Sequence, residues 1–175
     1  DLQYTGSQNL EAALIREAQL ENSKIIPFSG MIVSMDCSDE TCIHPGKKKP
    51  IGDRFAYLAL QKTYGMSGFD AVSPLYESHE IKGNVVYVKF TKTMWGGVGH
   101  KGKSLVGFEL AGEDRKFYPA EACNYSKDSH VIEVKSDMVP NPVAVRYAFR
   151  NYAPVSIYNT FGIPASPFRT DDWDE

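Results

Sequence analysis

The residues best suited to chemistry lie between positions 36 and 54. Within Asp36-Cys37-Ser38-Asp39-Glu40-Thr41-Cys42-Ile43-His44-Pro45 stand an imidazole, two thiols and several carboxylates, and Ile51-Gly52-Asp53-Arg54 follow. His44 is of the residue type that exchanges protons near neutral pH. It would take a proton from a hydroxyl within hydrogen-bond reach and return it to a leaving alkoxide. Pro45 stiffens the backbone by disfavouring the helical region for His44. Asp39, and after it Asp36, are the carboxylates that would orient the ring, against the alternative of loop acids that are merely solvated. The competing reading of His44 is a polar loop residue with no chemical role. Cys37, Cys42 and His44 give at most three metal ligands, so a zinc site fits poorly and no cofactor is expected.

The flanking elements decide where such a loop sits. Residues 9–22 are rich in Ala, Leu, Glu, Gln and Arg, with Leu10, Ala13, Leu14 and Ala18 on one stripe, and predict a helix. Ser7 or Asn9 would cap it. After Pro27 and Gly30, the apolar run Met31-Ile32-Val33-Ser34-Met35 predicts a strand buried on both faces of a parallel sheet. A second helix is expected from Pro50, with Ile51, Phe55, Leu58, Ala59 and Lys62 along one face and Gly65 closing it. Helix, strand, loop and helix in that order fit the last unit of a doubly wound α/β sheet, where loops at the carboxyl ends of strands host the chemistry.

Beyond Gly68 the period changes to two. Val86, Val88 and Phe90 alternate with Val85, Tyr87 and Lys89, and short runs recur at residues 105–111, 131–135 and 143–149 between turn formers such as Gly96-Gly97 and Pro140-Asn141-Pro142. These predict an antiparallel β-sandwich, with the boundary near residues 70–74. Four or five strands are few for two sheets, so strands from a longer chain are expected to complete it.

Bulk properties exclude several classes. The 175 residues are 42% hydrophobic and 23% charged, with net charge −3 and no low-complexity tract, which excludes a disordered chain. Lys47-Lys48-Lys49 is a basic run without interleaved aromatics, so it reads as a solvated loop and no nucleic-acid partner is expected. No apolar stretch is long enough to predict a membrane span. The sequence opens at Asp1 on a polar segment without a leader, as in a processed chain or the remainder of a longer one. Cys37 and Cys42 are close enough for a local disulfide, with Cys123 left over, a count compatible with an oxidising compartment. Asn124-Tyr125-Ser126 is a glycosylation sequon if a eukaryote secretes the protein.

One resemblance spans nearly the whole chain. The order Arg16-Glu17-Ala18-Gln19, Gly30 with the apolar run, Ile43-His44-Pro45, Ile51-Gly52-Asp53-Arg54-Phe55-Ala56 and Thr63-Tyr64-Gly65 resembles the closing section of the sialate O-acetylesterase family of SGNH hydrolases. Gly107-Phe108-Glu109-Leu110-Ala111-Gly112, Pro142-Val143-Ala144-Val145-Arg146-Tyr147-Ala148 and residues 162–171 continue it. The resemblance implies that residues 1–70 are the C-terminal part of a flavodoxin-like SGNH hydrolase domain carrying the catalytic histidine, His44, and that residues 71–175 are a β-sandwich region. It implies a serine esterase acting on O-acetylated sialic acid or a related acetylated sugar, without cofactor, in a secreted, periplasmic or lysosomal setting. The nucleophilic serine would come from an N-terminal segment of the same protein. Many SGNH hydrolases place an aspartate three residues before the histidine; here that position is Thr41, which leaves Asp39 as the first candidate for the orienting acid. Gly6-Ser7-Gln8-Asn9 scrambles the family's nucleophile block, but no buried strand precedes it, so helix capping is the better reading of Ser7.

Other residues carry weaker signals. Trp95, near His100, has the character of a sugar-stacking aromatic or of a core-edge cover. Arg146 and Arg169 would bind a carboxylate bidentately or, as the better reading, tie the tail to the sandwich through Asp171 or Asp172. Two further functions stay open: a non-catalytic glycan-binding or structural module, and an esterase acting on acetylated plant polysaccharide.

Overall fold

The computed structural model describes residues 6–91 and 105–173. Trp95, Gly96-Gly97 and His100 lie outside the described residues. Two helices come first and two antiparallel sheets follow, so the architecture is mixed α and β, with a sandwich after the helical part.

Helix α1 spans Glu11–Ile25. Neither Ser7 nor Asn9 caps it: the N-cap position is Leu10, with no side-chain cap. The cap comes from across the molecule, because Asn151 Oδ1 accepts the Ala12 N–H at 2.8 Å while its Nδ2 donates to Glu11 Oε2 at 2.8 Å. Asn151 thereby satisfies one of the helix's orphan donors and fastens α1 to the sandwich. The expected apolar stripe divides. Leu10 and Ala13 are buried in a small cluster with Phe149, whereas Leu14 and Ala18 face outward.

Helix α2 spans Lys48–Lys62, starting two residues before Pro50, which sits in the first turn where its missing N–H has no intrahelical partner to lose. Leu58 and Arg54 are its buried side chains, while Phe55 and Ala59 are exposed. Gly65, at φ 66°, takes the left-handed conformation that ends the helical path, and Met66 N–H closes onto the Leu60 carbonyl at 3.0 Å.

The predicted strand over residues 31–35 does not form. Residues 29–34 join no ladder, and a 3₁₀ turn, Met35–Cys37, ends the segment. A strand exists only by pairing, and among the described residues nothing lies alongside to pair with it.

One sheet contains β1 (Tyr76–Lys82), β2 (Val85–Phe90), β5 (Glu121–Asn124) and β6 (Val131–Lys135) in the order β1-β2-β6-β5. The other contains β3 (Phe108–Ala111), β4 (Phe117–Pro119), β7 (Ala144–Tyr147) and β8 (Phe168–Arg169) in the order β4-β3-β7-β8. The alternation in β2 holds residue by residue: Val86, Val88 and Phe90 are buried and the intervening side chains are not. They meet Leu110, Val145, Tyr147 and Phe168 of the facing sheet, with Phe90 edge-on to Phe168 at 5.8 Å between ring centres. Among the described residues, eight strands of this chain form the two facing sheets, where four or five were expected. Strand β1, polar along most of its length, and β4, only three residues long, escaped the apolar alternation rule, which registers only a strand with one face in the core.

Val33 and Met35 belong to this same core, so the loop segment before His44 is packed against the sandwich. Arg146 is wholly buried on the outer side of β7, bonded to Asp171 by Nε at 2.9 Å and Nη2 at 2.7 Å and stacked 3.9 Å above the Phe117 ring. It ties the tail down as expected and is closed to any substrate carboxylate. Arg169 differs: its bidentate partner is Glu17 of α1, at 2.9 Å on both oxygens, so it links tail to helix.

Candidate active site

Between α1 and α2 the chain makes the loop that carries His44. Asp39 Oδ1 accepts the backbone N–H of Thr41 at 2.8 Å and its hydroxyl at 2.6 Å, a local turn that competes with any regular structure. Those two bonds hold the Asp39 carboxyl below the usual range. Cys42 N–H returns to the Asp39 carbonyl at 3.3 Å, and the Cys42 thiol points to the His44 carbonyl at 3.6 Å. Pro45 follows, and its carbonyl receives Lys48 Nζ at 3.1 Å at the start of α2.

His44 is exposed, and its imidazole has no hydrogen-bond partner among the described residues. Asp39 shares the loop with it, yet no hydrogen bond joins the two. Asp36 is committed elsewhere. Its two oxygens receive Arg54 Nη1 and Nη2, each at 2.6 Å, in a fork-to-fork pair whose side chains are 7% and 19% exposed for Arg54 and Asp36.

Arg54 is the residue that organises the loop. Besides Asp36, its Nη1 donates to the Val33 carbonyl at 2.9 Å and its Nη2 to the Gly162 carbonyl at 3.4 Å. One guanidinium thus joins the segment before the 3₁₀ turn, the turn itself, α2 and the closing part of the chain. The hydrogen bonds to Asp36 raise the Arg54 pKa further. Burial, reinforced by the negative charge of Asp36, pushes the neighbouring Cys37 thiol up, and burial does the same to the Tyr158 hydroxyl. The Gly162 leg is fixed in turn by Asn159, whose Oδ1 accepts the N–H groups of Phe161 and Ile163 and whose Nδ2 donates to the carbonyls of Asp70 and Val72.

Chemically, the arrangement is a rigid base beneath a presented imidazole. The base fixes Met35–Cys37, and His44 follows seven residues farther on, exposed and able to exchange a proton with a group that reaches it. No triad is assembled within the described residues. The Ser7 carbonyl accepts Tyr152 N–H at 3.1 Å, which places Ser7 against the sandwich. Cys37, Cys42 and Cys123 are all free thiols, so the local disulfide is not formed. Among the described residues no group of three or more His, Cys, Asp or Glu side chains gathers as metal ligands, and no helix is long and apolar enough to cross a membrane.

Arg54, Asn151 and Asn159 gave no sign of these roles in sequence reading. Hydropathy counts all three as surface residues, and the one signal available for Arg54 was its spacing of four from Leu58 on the buried side of α2.

No protein-family model matches the sequence, and no curated protein matches it significantly. A solved structure does. The crystal structure of a carbohydrate acetylesterase from Xanthomonas citri superposes with a TM-score of 0.81 at 32% sequence identity, over 92% of this chain and 36% of that one. The chain spans about a third of that enzyme's length. Similarity in both sequence and architecture relates it to part of a carbohydrate acetylesterase.

Proposed function

We propose that this chain is the C-terminal portion of a serine-type carbohydrate O-acetylesterase of the SGNH kind, with His44 as its general base and O-acetylated sialic acid as its preferred substrate. The observation that carries the reading is the match to the Xanthomonas citri acetylesterase over 92% of the chain. The exposed, unpartnered imidazole of His44 supports it, as do the sequence motifs shared with sialate O-acetylesterases.

In this reading a serine on a preceding segment of the protein attacks the acetyl carbonyl carbon while His44 takes the hydroxyl proton. The tetrahedral intermediate collapses as His44 returns that proton to the sugar oxygen, which leaves as the free hydroxyl. Water, deprotonated by the same imidazole, then attacks the acetyl-serine, releasing acetate and restoring the serine. Oxyanion donors would come from the same segment as the serine. The orienting group for His44 would be Asp39, once released from Thr41, or a group on that segment. The same resemblance assigns a secreted, periplasmic or lysosomal location.

The test uses the assembled protein. His44→Ala is expected to lower turnover of an acetyl ester by at least about 100-fold, with the urea midpoint unchanged because the side chain makes no contact that folding needs. Near-normal turnover removes His44 from the mechanism. A fluorophosphonate should label polypeptide outside these 175 residues. Comparing O-acetylated sialic acid with acetylated xylan then decides the substrate class, and a preference for xylan would reject the sialate assignment.

A further inference from the structure

The two outer faces of the sandwich differ in what lies over them. Across the sheet β4-β3-β7-β8 runs the closing tail: Asp171 holds Arg146, and the Trp173 ring meets Phe117 at 5.7 Å between centres. The sheet β1-β2-β6-β5 has no such cover among the described residues. Its register brings Glu80, Tyr87, Glu133 and Cys123 into one row across the outer face, opposite in direction to the buried Val86 and Val88. Glu80, Lys82, Cys123 and Lys135 are exposed there.

Two aromatic rings stand on this open face. Tyr87 of β2 and Tyr125, just past the end of β5, meet edge to face with centres 5.2 Å apart and planes at 70°. Both are half-buried, and neither hydroxyl has a hydrogen-bond partner among the described residues. The charges around them are already matched. Lys82 pairs with Glu80 at 2.9 Å, Lys89 with Glu77 at 3.3 Å and Lys135 with Glu121 at 3.4 Å. Glu133, opposite Tyr87, has no cation, only the Cys123 thiol at 4.0 Å. These four strands therefore offer an anionic ligand no free cation and one spare carboxylate that repels it. Lys82 Nζ, 5.5 Å from the centre of the Tyr87 ring, and Glu133 set a donor and an acceptor beside the aromatic pair.

We propose that Tyr87 and Tyr125 form the platform of an accessory glycan-binding face that takes a neutral pyranose chain. A pyranose turns a patch of C–H groups toward the electron-rich face of an aromatic ring. Its hydroxyls, donors and acceptors at once, suit Lys82, Glu133 and the two free phenols. Planes at 70° seat successive sugars that are turned relative to one another along a chain. The inference rests on the carbohydrate part of the functional reading above and not on His44. The face would anchor the polymer that carries the acetylated sugar, whereas the ester itself is handled at the His44 site. Neutrality of the ligand follows from the matched charges, so the anchored sugars differ in charge from a sialic acid at the chain's end.

The test is calorimetric titration of the assembled protein with soluble, unacetylated xylan and galactan, and with polysialic acid as the anionic comparison. At least one neutral polysaccharide is expected to bind, and Tyr87→Ala and Tyr125→Ala are each expected to raise its Kd at least about 10-fold. Tyr64→Ala, which removes a ring 74% exposed beyond α2, is expected to leave that Kd unchanged. Urea midpoints check that the variants fold; Tyr125 lies outside the paired residues of β5, so its variant keeps the test open should Tyr87→Ala unfold. Binding of neither neutral polysaccharide overturns the proposal, as does tighter binding of polysialic acid or an unchanged Kd in folded tyrosine variants. The polysaccharides carry no ester, so binding is read without turnover. Esterase activity without such binding refutes this face alone, and binding without esterase activity keeps the face and refutes the serine–histidine reading.

Discussion

Replacing Arg54 by Met tests the claim that one guanidinium holds the His44 loop to the rest of the protein. Met matches the length of the aliphatic stem but removes every donor. The substitution leaves the Asp36 carboxylate without its bidentate partner and the carbonyls of Val33 and Gly162 without a donor. Breaking a buried, hydrogen-bonded ion pair by removing one member costs about 3–5 kcal/mol. Asp36 keeps 19% of its side-chain surface in water, so the lower end, about 3 kcal/mol, is expected. With a urea m-value of about 2 kcal/mol/M, that is a fall of about 1.5 M in the unfolding midpoint. Asp36→Asn alone should also destabilise, but in the double variant its further cost should be small, because the partner it served is already gone. Hydrogen exchange should quicken at Cys37 and Ser38, whose N–H groups bond to Ser34 and Met35 within the clamped turn. A loss below about 1 kcal/mol for Arg54→Met, or additive effects of the two substitutions, would refute the clamp.

Tyr147 is fully buried, its hydroxyl pushed up to about 12 mainly by burial, and it accepts the backbone N–H groups of Ser156 and Ile157, both at 3.0 Å. Tyr147→Phe should therefore destabilise by about 1–3 kcal/mol in urea unfolding, since two donors lose their acceptor; an unchanged midpoint would contradict this bonding. Thiol titration in guanidinium without reductant should count three cysteines per chain, and under native conditions Cys37 should react slowest because it is buried with a raised pKa; a count of one would mean a bridge. Burial lowers the His79 pKa, and the Tyr76 hydroxyl lies 2.7 Å from its Nδ1. The unfolded chain therefore takes up that proton first: the contribution is whole above about pH 6.5 and is lost as pH falls toward the lowered folded value. His79→Gln should flatten the dependence of stability on pH in that window, and an unaltered slope would remove His79 as its source.

The sequence by itself determined the local choices. Alternation in Val85 to Phe90 specified a half-buried strand, because a period of two admits one core face and one outer face. Composition and spacing specified both helices, and the resemblance marked His44. Only tertiary structure decided which helix face is covered: Leu10 and Ala13 of α1 meet Phe149, while Leu14 and Ala18 remain outside, although all four lie on one stripe. Partnerships across the chain were equally invisible, since Asn151 caps α1 from 139 residues away and Arg54 reaches Gly162. Hydropathy describes a residue by its own side chain, whereas a cap or a clamp is a relation between two. The segment 31–33 shows the same limit from the other side. Its residues specify a strand, and a strand needs a neighbour that no residue can supply for itself.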